Sequence, residues 1–499
     1  MKFIFCPAGD PFPQAQPRCI LMRGDNWDDY GFQISFMAYC APMKSDLSWR
    51  VIGPVKILQE KSEGGEGPIE ILQRTHLPST FERLPPSFIS LGQNQSYYKK
   101  IDEYFDIESD AILRSLRDIA VSPGLAPRFE PTTAFRNSLM RENTAQRARR
   151  FGYLWSMGED PRVELDFTYS GEIEGAESPV TAYFDFNPRD ELPGRIVGII
   201  GRNAVGKTQY LANLGADLAL TSRTSAKSWA ERDARFHNER PLFTRVIAIS
   251  YSAFDKFRRP PPNERNSYIY CGIRTESGGL SRRLLTENYL KNWERIYERD
   301  LIFEWRECLA EVFESEGEEI PAAVKAALIA TEENAHSDAL SIMSSGQSIL
   351  AHFITALLAW IEEDSIVLFD EPETHLHPNA VASLFVVLNK ILKKHDSFSV
   401  IATHSPLVIQ EIPAKRVLVF KRKGSVTEAQ PLAMESFGES ISELTKHVFE
   451  TIEIESLYRK TLRALAKKAP IEEVIEKFPL GLSLNAEAYL FAQYKKKIE

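Results

Sequence analysis

Apolar and polar positions divide this chain into stretches with different rhythms. Over the first ~150 residues, short apolar runs alternate with turn-forming residues. YGFQISFMAYCAP (30–42) has strand propensity and turn-like flanks, whereas DEYFDIESDAILRSLRDIAV (102–121) has the spacing of an amphipathic helix. From about 160, RVELDFTYSG and PVTAYFDFN predict a hairpin leading into GRIVGIIG, a glycine-bounded run of β-branched residues. Two more buried strands are expected at SIVLFD (365–370) and FSVIATHSP (398–406), separated by the helical AVASLFVVLNKILKK. Strand, helix and strand joined by short loops imply a parallel sheet covered by helices. Residues 256–340 differ: proline-rich KFRRPPPNERN gives way to helical LKNWERIYERDLIFEWRECLAEVF, read as an inserted helical lobe. KRVLVFKR (415–422) adds a strand, and the last ~60 residues read as short helices. The expected division is residues 1–155 as an N-terminal α+β region of unknown role, 156–440 as a core with its insertion, and 441–499 as a helical tail.

Composition changes this picture little. With 499 residues, 43% apolar and 26% charged, the chain can bury a large core as two to three domains, or as one large domain with insertions. The net charge of −9 gives no global attraction to nucleic acid, which leaves RARRF (147–151), KFRR (256–259) and the terminal YKKK as local basic patches, read chiefly as solvated faces. Cys6, Cys19, Cys40, Cys271 and Cys308 show no C-x-x-C spacing, as expected of unpaired core thiols in a reducing compartment. No apolar run reaches the ~18 residues of a membrane span, and MKFIFCPAGDPF is broken too early by proline for a leader, so a cytoplasmic location is expected.

The chemistry is concentrated in four motifs. GRNAVGKT, Gly201 to Thr208, matches G-x-x-x-x-G-K-[ST] and stands between an apolar strand and the helical TQYLANLGADLAL. Glycines let successive N–H groups curl toward phosphates, and the helix N-terminus adds partial positive charge. Lys207 would hold the β- and γ-phosphates and Thr208 would ligate magnesium. Gly201, Asn203, Ala204, Val205, Gly206, Lys207, Thr208 and Gln209 are therefore the candidate ATP-binding residues of this loop. SIVLFDE supplies an apolar strand ending in acids at a sheet edge: Asp370 would orient Mg2+ through a water, and Glu371 would be the general base. MSSGQ (343–347) precedes a helix with apolar residues at helical spacing, making Ser344, Gly346 and Gln347 a second candidate anion site. His404, in ATHSP, follows a buried strand and would sense a γ-phosphate.

Together, Gly201–Thr208, MSSGQ, VLFDEPETHLHP and ATHSP resemble the ATP-binding-cassette ATPases, in the branch containing RecF, the structural-maintenance-of-chromosomes heads and the overcoming-lysogenisation-defect nucleases. The likeness spans residues ~160–440. It implies an α/β P-loop fold with a mixed sheet, ATP and Mg2+ as ligands, and a head-to-tail homodimer in which each ATP lies between one subunit's phosphate loop and its twin's signature turn. It also implies that Ser344 and Gly346 act in trans, that His375 to Pro378 lie at the dimer seam, and that His404 is a switch histidine. Departures exist: Ser345 replaces the usual first glycine of the turn. No glutamine follows RVIAISYSAFD, leaving Ser252 or Asp255 as weak candidates for a magnesium-contacting role. Tyr183 and Phe184 are possible adenine-stacking residues, though core positions suit them better. A metal pair at His375 and His377 lacks a visible third ligand.

The insertion is too short for a chromosome-maintenance coiled coil, and the tail is too short for a metal nuclease domain. Stand-alone ATPases of this kind resemble the ATPase subunits of bacterial antiphage systems such as Septu. Such a subunit would act as sensor or regulator of a separate effector such as a nuclease, with possible nucleic-acid contact and no membrane contact. A RecF-like repair ATPase is the alternative; a transporter nucleotide-binding subunit fits less well.

Overall fold

A computed structural model describes residues 1–41, 48–61, 69–159, 165–219, 225–252, 256–259, 266–272, 274, 282–314, 333–374, 376–449 and 457–495. Residues Met1–Glu439 form one compact unit and Ser440–Glu499 another.

The first unit holds two large sheets. In the N-terminal sheet, β1 (Lys2–Cys6), β2 (Cys19–Gly24), β3 (Ser35–Ala41), β4 (Arg50–Gln59), β5 (Thr80–Phe81) and β6 (Phe88–Gly92) run in the order β5-β1-β2-β3-β4-β6. β1 and β2 are parallel; the remaining pairs are antiparallel. The strand expected in 30–42 is β3, begun only at Ser35. The single helix expected over 102–121 is instead two, Gln95–Phe105 and Ser109–Ser115, separated by a 3-10 turn. The break lies at Asp106, held at φ 47, where the Ser109 hydroxyl donates to the Asp106 carbonyl at 2.6 Å. Such local side-chain bonding competes with helix continuation, and apolar spacing alone does not register it.

The second sheet carries the motifs. After the antiparallel hairpin β7 (Phe167–Gly171) and β8 (Val180–Phe184) come β9 (Ile196–Gly201), β10 (Val246–Ser250), β11 (Tyr268–Gly272), β12 (Ile366–Asp370), β13 (Phe398–Thr403), β14 (Val417–Lys423) and β15 (Val426–Pro431). Their order is β11-β10-β12-β13-β9-β14-β15, parallel throughout except for β15. β9, β10, β12 and β13 are buried at every position, as near-continuous apolar runs require of strands covered on both faces. β13 lies between the phosphate-loop strand β9 and the acid-bearing strand β12, so three motif-bearing strand ends meet at one carboxyl edge. This is the α/β P-loop architecture expected, with its mixed sheet, helical insertion and N-terminal α+β region.

Helices Arg282–Glu298, Ile302–Glu314 and Glu333–Ile342 belong to the insertion and lead to the signature helix Ser345–Trp360. In the second unit, helices Ile441–Phe449, Leu457–Lys468, Ile471–Glu476 and Leu484–Lys495 include a small core around Leu462, Ala466, Val474 and Leu490. Among the described residues no helix is long and apolar enough to cross a membrane.

Candidate nucleotide site

The carboxyl edge is built by backbone constraint first. Gly201 ends β9 so close to β14 that a Cβ there would stand 2.5 Å from the Phe420 carbonyl oxygen. The loop then turns through left-handed backbone at Ala204 (φ 67) and Gly206 (φ 95), and a Cβ on Gly206 would meet Ile173 Cγ2 at 2.3 Å. Gly206 is also the N-cap of the helix Lys207–Leu218 and provides no side-chain cap. The helix therefore opens with N–H groups that no capping side chain covers, the donor arrangement an anionic phosphate accepts.

Lys207 is buried, with Nζ donating to the carbonyls of Gly201 (2.9 Å) and Arg202 (3.1 Å). Burial depresses its pKa, while Glu371, Asp370 and Glu373 pull it back up. The Thr208 hydroxyl donates to Asp370 Oδ1 at 2.9 Å across the sheet edge. A hydroxyl beside a carboxylate is a hard-oxygen donor set, so these two residues fit a magnesium ion together with phosphate oxygens and waters. Gln209 Oε1 accepts from the Glu174 N–H at 3.1 Å, and Asn203 and Ala204 are exposed at the loop tip while Val205 is buried beneath it.

Glu371 leaves β12 in left-handed backbone (φ 50), with its N–H donating to the Ala402 carbonyl of β13 at 2.8 Å. Its Oε1 lies 3.2 Å from His404 Nδ1. Ser250, the residue paired with Asp370, ends β10, and Ser252 follows on the same edge; Asp255 lies outside the described residues. Glu373, which sequence reasoning missed, also belongs here. Its Oε1 accepts from the Thr403 hydroxyl at 2.6 Å and from the His404 N–H at 3.2 Å. The only signal in the chain was the second glutamate of DEPET.

The signature turn is a different kind of structure. Ser344 caps the helix Ser345–Trp360 in a reciprocal box: its hydroxyl accepts from the Gln347 N–H at 3.2 Å, and the Gln347 amide oxygen accepts from the Ser344 N–H at 3.1 Å. Ser344 and Ser345 are exposed and Gly346 half-buried. The helix packs chiefly on Arg282–Glu298 and Ile302–Glu314, with further contact to β10, β11 and Pro378–Lys394.

Other candidates fall away from the edge. Phe184 is fully buried and stacked on Phe167 with ring centroids 4.8 Å apart, so it serves the core, whereas Tyr183 is exposed and donates to Asp166 at 3.0 Å. His377 caps the helix Pro378–Lys394, and His375 lies outside the described residues. Among the described residues no three His, Cys, Asp or Glu side chains gather to hold a metal. The basic run at 147–151 is spent on ion pairs: Arg147 with Asp364, Arg149 with Glu130, Arg150 with Glu239. Lys256 of the second patch pairs with Glu174 at 3.0 Å, and the lysines after Tyr494 lie partly outside the described residues. All five cysteines are buried thiols, and burial pushes those of Cys40, Cys271 and Cys308 up to about 12.

Known proteins resemble this chain in part and over its whole length. Residues 303–410, which include the signature helix, β12 and His404, match the sequence family described as "AAA domain, putative AbiEii toxin, Type IV TA system". That stretch is thus similar to an AAA-type ATPase domain, and the phosphate loop Gly201–Thr208 lies upstream of it. Over its whole length it is similar to protein ea59 of Escherichia phage lambda, with 24% identity over 535 residues, covering 100% of this chain and 99% of that protein. Similar solved structures include an SMC head domain from Thermotoga maritima (11% identity, TM-score 0.30, 54% of this chain and 98% of that one). Another is the ADP conformation of an ATP-binding cassette of an ABC transporter (14% identity, TM-score 0.28, 57% of this chain and 94% of that one).

Proposed function

We propose that this chain binds and hydrolyses ATP with Mg2+ at the carboxyl edge of the seven-stranded sheet, as a head-to-tail homodimer that regulates a separate effector. The observation that carries the reading is the convergence of Lys207, Thr208, Asp370, Glu371 and His404 on that edge, with Thr208 and Asp370 2.9 Å apart and Glu371 and His404 3.2 Å apart. Lys207, now on loop carbonyls, and the opening N–H groups of its helix bind the phosphates. Thr208 and Asp370 would hold Mg2+, which when bound would neutralise charge on the phosphate oxygens. Glu371 takes a proton from the attacking water, and His404, with its ring 43% exposed, faces the phosphate side while its Nδ1 steadies Glu371.

The exposed signature turn supports the dimer. Ser344, Ser345 and Gly346 open a helix toward solvent, a donor-rich end suited to the phosphate held by a second copy. A role beside an effector such as a nuclease, in conflict between phages and bacteria, draws on the resemblance to antiphage ATPase subunits. A family description that names a toxin system and an end-to-end relative encoded by a phage support the same reading.

The direct test is ATP turnover and sedimentation of Glu371→Gln. Turnover should fall by about 10²–10⁴ and a dimer should persist in ATP. Wild-type turnover in that variant would remove Glu371 as the base, and single chains under saturating ATP would remove the dimer.

A further inference from the structure

We propose that Glu373 is a positioning residue that holds the switch histidine, leaving Glu371 available to the water. The proposal rests on the ATPase reading above and adds a third acid to it.

The geometry is a clamp built on one oxygen. Glu373 Oε1 receives the Thr403 hydroxyl at 2.6 Å and the His404 N–H at 3.2 Å, and it lies 3.4 Å from His404 Nδ1. Thr403 is fully buried, and its hydroxyl in turn accepts the Ser405 N–H at 2.8 Å, so the segment 403–405 is knitted to this carboxylate. The glutamate is fixed from its own side by two turn bonds, Thr374 N–H to the Glu371 carbonyl at 3.1 Å and Leu376 N–H to the Glu373 carbonyl at 3.0 Å. Its side chain is 9% exposed, and Oε2 is buried with no hydrogen-bond partner among the described residues. A buried carboxyl is an expensive group to seat there, and the donors that converge on Oε1 offset that cost.

Two carboxylates therefore face one imidazole nitrogen: Glu371 at 3.2 Å and Glu373 at 3.4 Å. Carboxylate oxygens accept, so Nδ1 carries a proton and the ring's tautomer and orientation are set by what faces it. Were Glu371 alone, the same carboxylate would have to steady the histidine and polarise the water. Glu373 removes that conflict, because it also grips the histidine backbone, which Glu371 does not.

The test separates this role from both general damage and failure of the ATPase reading. Glu373→Ala should lower kcat for ATP about 10-fold while KM stays within about twofold, the range typical of removing a partner behind a working residue. Glu373→Gln, which keeps an accepting oxygen for Thr403 and the His404 N–H, should recover part of the loss. In a His404→Ala background, Glu373→Ala should cost nothing further, since its effect passes through the ring. An equal loss in both backgrounds, or an unchanged kcat in Glu373→Ala, overturns the proposal. A readout independent of turnover is the ring signal of His404 in 15N-histidine spectra, assigned among the nine histidines by its disappearance in His404→Ala. The Nδ1–H tautomer should dominate in the wild type and give way to a mixture in Glu373→Ala; an unaltered tautomer overturns the proposal even if the wild-type chain hydrolyses no ATP, in which case the ATPase reading also falls.

Discussion

The two ends of strands β10 and β12 both carry buried charge, but they use it differently. At the amino end, Arg245 pairs with Glu362 at 2.7 Å, Arg147 with Asp364, and Glu142 accepts from the Ser267 N–H at 2.7 Å and its hydroxyl at 2.9 Å. Asn143, which opens the helix Asn143–Trp155, donates to the carbonyls of Leu218 (2.7 Å) and Phe243 (3.1 Å), fastening the N-terminal region to this end of the sheet. Each acid there meets a cation or a donor. At the carboxyl end, Asp370, Glu371 and Glu373 crowd around a single buried ammonium, Lys207, and one histidine. Matched charge fixes a fold, whereas unmatched charge of one sign is a cost that a fold carries for the sake of a ligand.

That contrast is open to direct attack. Lys207→Ala should have the largest effect, weakening ATP affinity at least about 100-fold, or ~3 kcal/mol, in a titration of fluorescent nucleotide. Next is the pairing of subunits. Lys207→Ala and Ser344→Arg should each be inactive alone, yet mixing them should restore up to about a quarter of wild-type turnover. Half of the random dimers are mixed, and each of those carries one intact composite site. No recovery on mixing would mean that the site is not shared. At the matched end, Arg147→Ala should cost about 1–3 kcal/mol in denaturant unfolding, because it strands Asp364 and the Leu242 carbonyl, while per-molecule turnover of the folded protein stays near wild type. Glu371→Gln should behave in the opposite sense: its Tm should hold or rise by a degree or two as like charge is relieved, although turnover is lost. A fall of several degrees would show that Glu371 is part of the scaffold. The smallest expected effect is at Tyr183→Ala, which should change the affinity for ATP less than about threefold if the exposed ring only packs on the hairpin.

Much of the seven-stranded sheet was legible, because strands covered on both faces are near-continuous apolar runs, as β9, β12 up to Asp370 and most of β13 are. The strand–loop–helix around Gly201–Thr208 and the place of Asp370 at the end of β12 were legible because both motifs follow an apolar run at fixed spacing. The N-terminal sheet was not: β1 pairs with β2 and β5, and residue Lys2 stands opposite Cys19, contacts that no local rhythm encodes. Likewise RARRF read as a surface charge run, yet Arg147 is buried, since periodicity reports which face is apolar and not which cation finds a buried acid. Glu373 escaped notice because its role depends on Thr403, thirty residues away.

The place of β13 has a consequence for how energy from the nucleotide could be spent. Its ladders run to β12 on one side and β9 on the other, Asp370 opposite Ala402 and Ile200 opposite Thr403. Sliding any of the three past its neighbour would break a whole ladder, so the loops at their ends form a rigid anvil. On the proposed reading, a stroke at the loss of a γ-phosphate would be taken up by parts outside that anvil, foremost the helices between residues 282 and 360, which include the one that Ser344 caps.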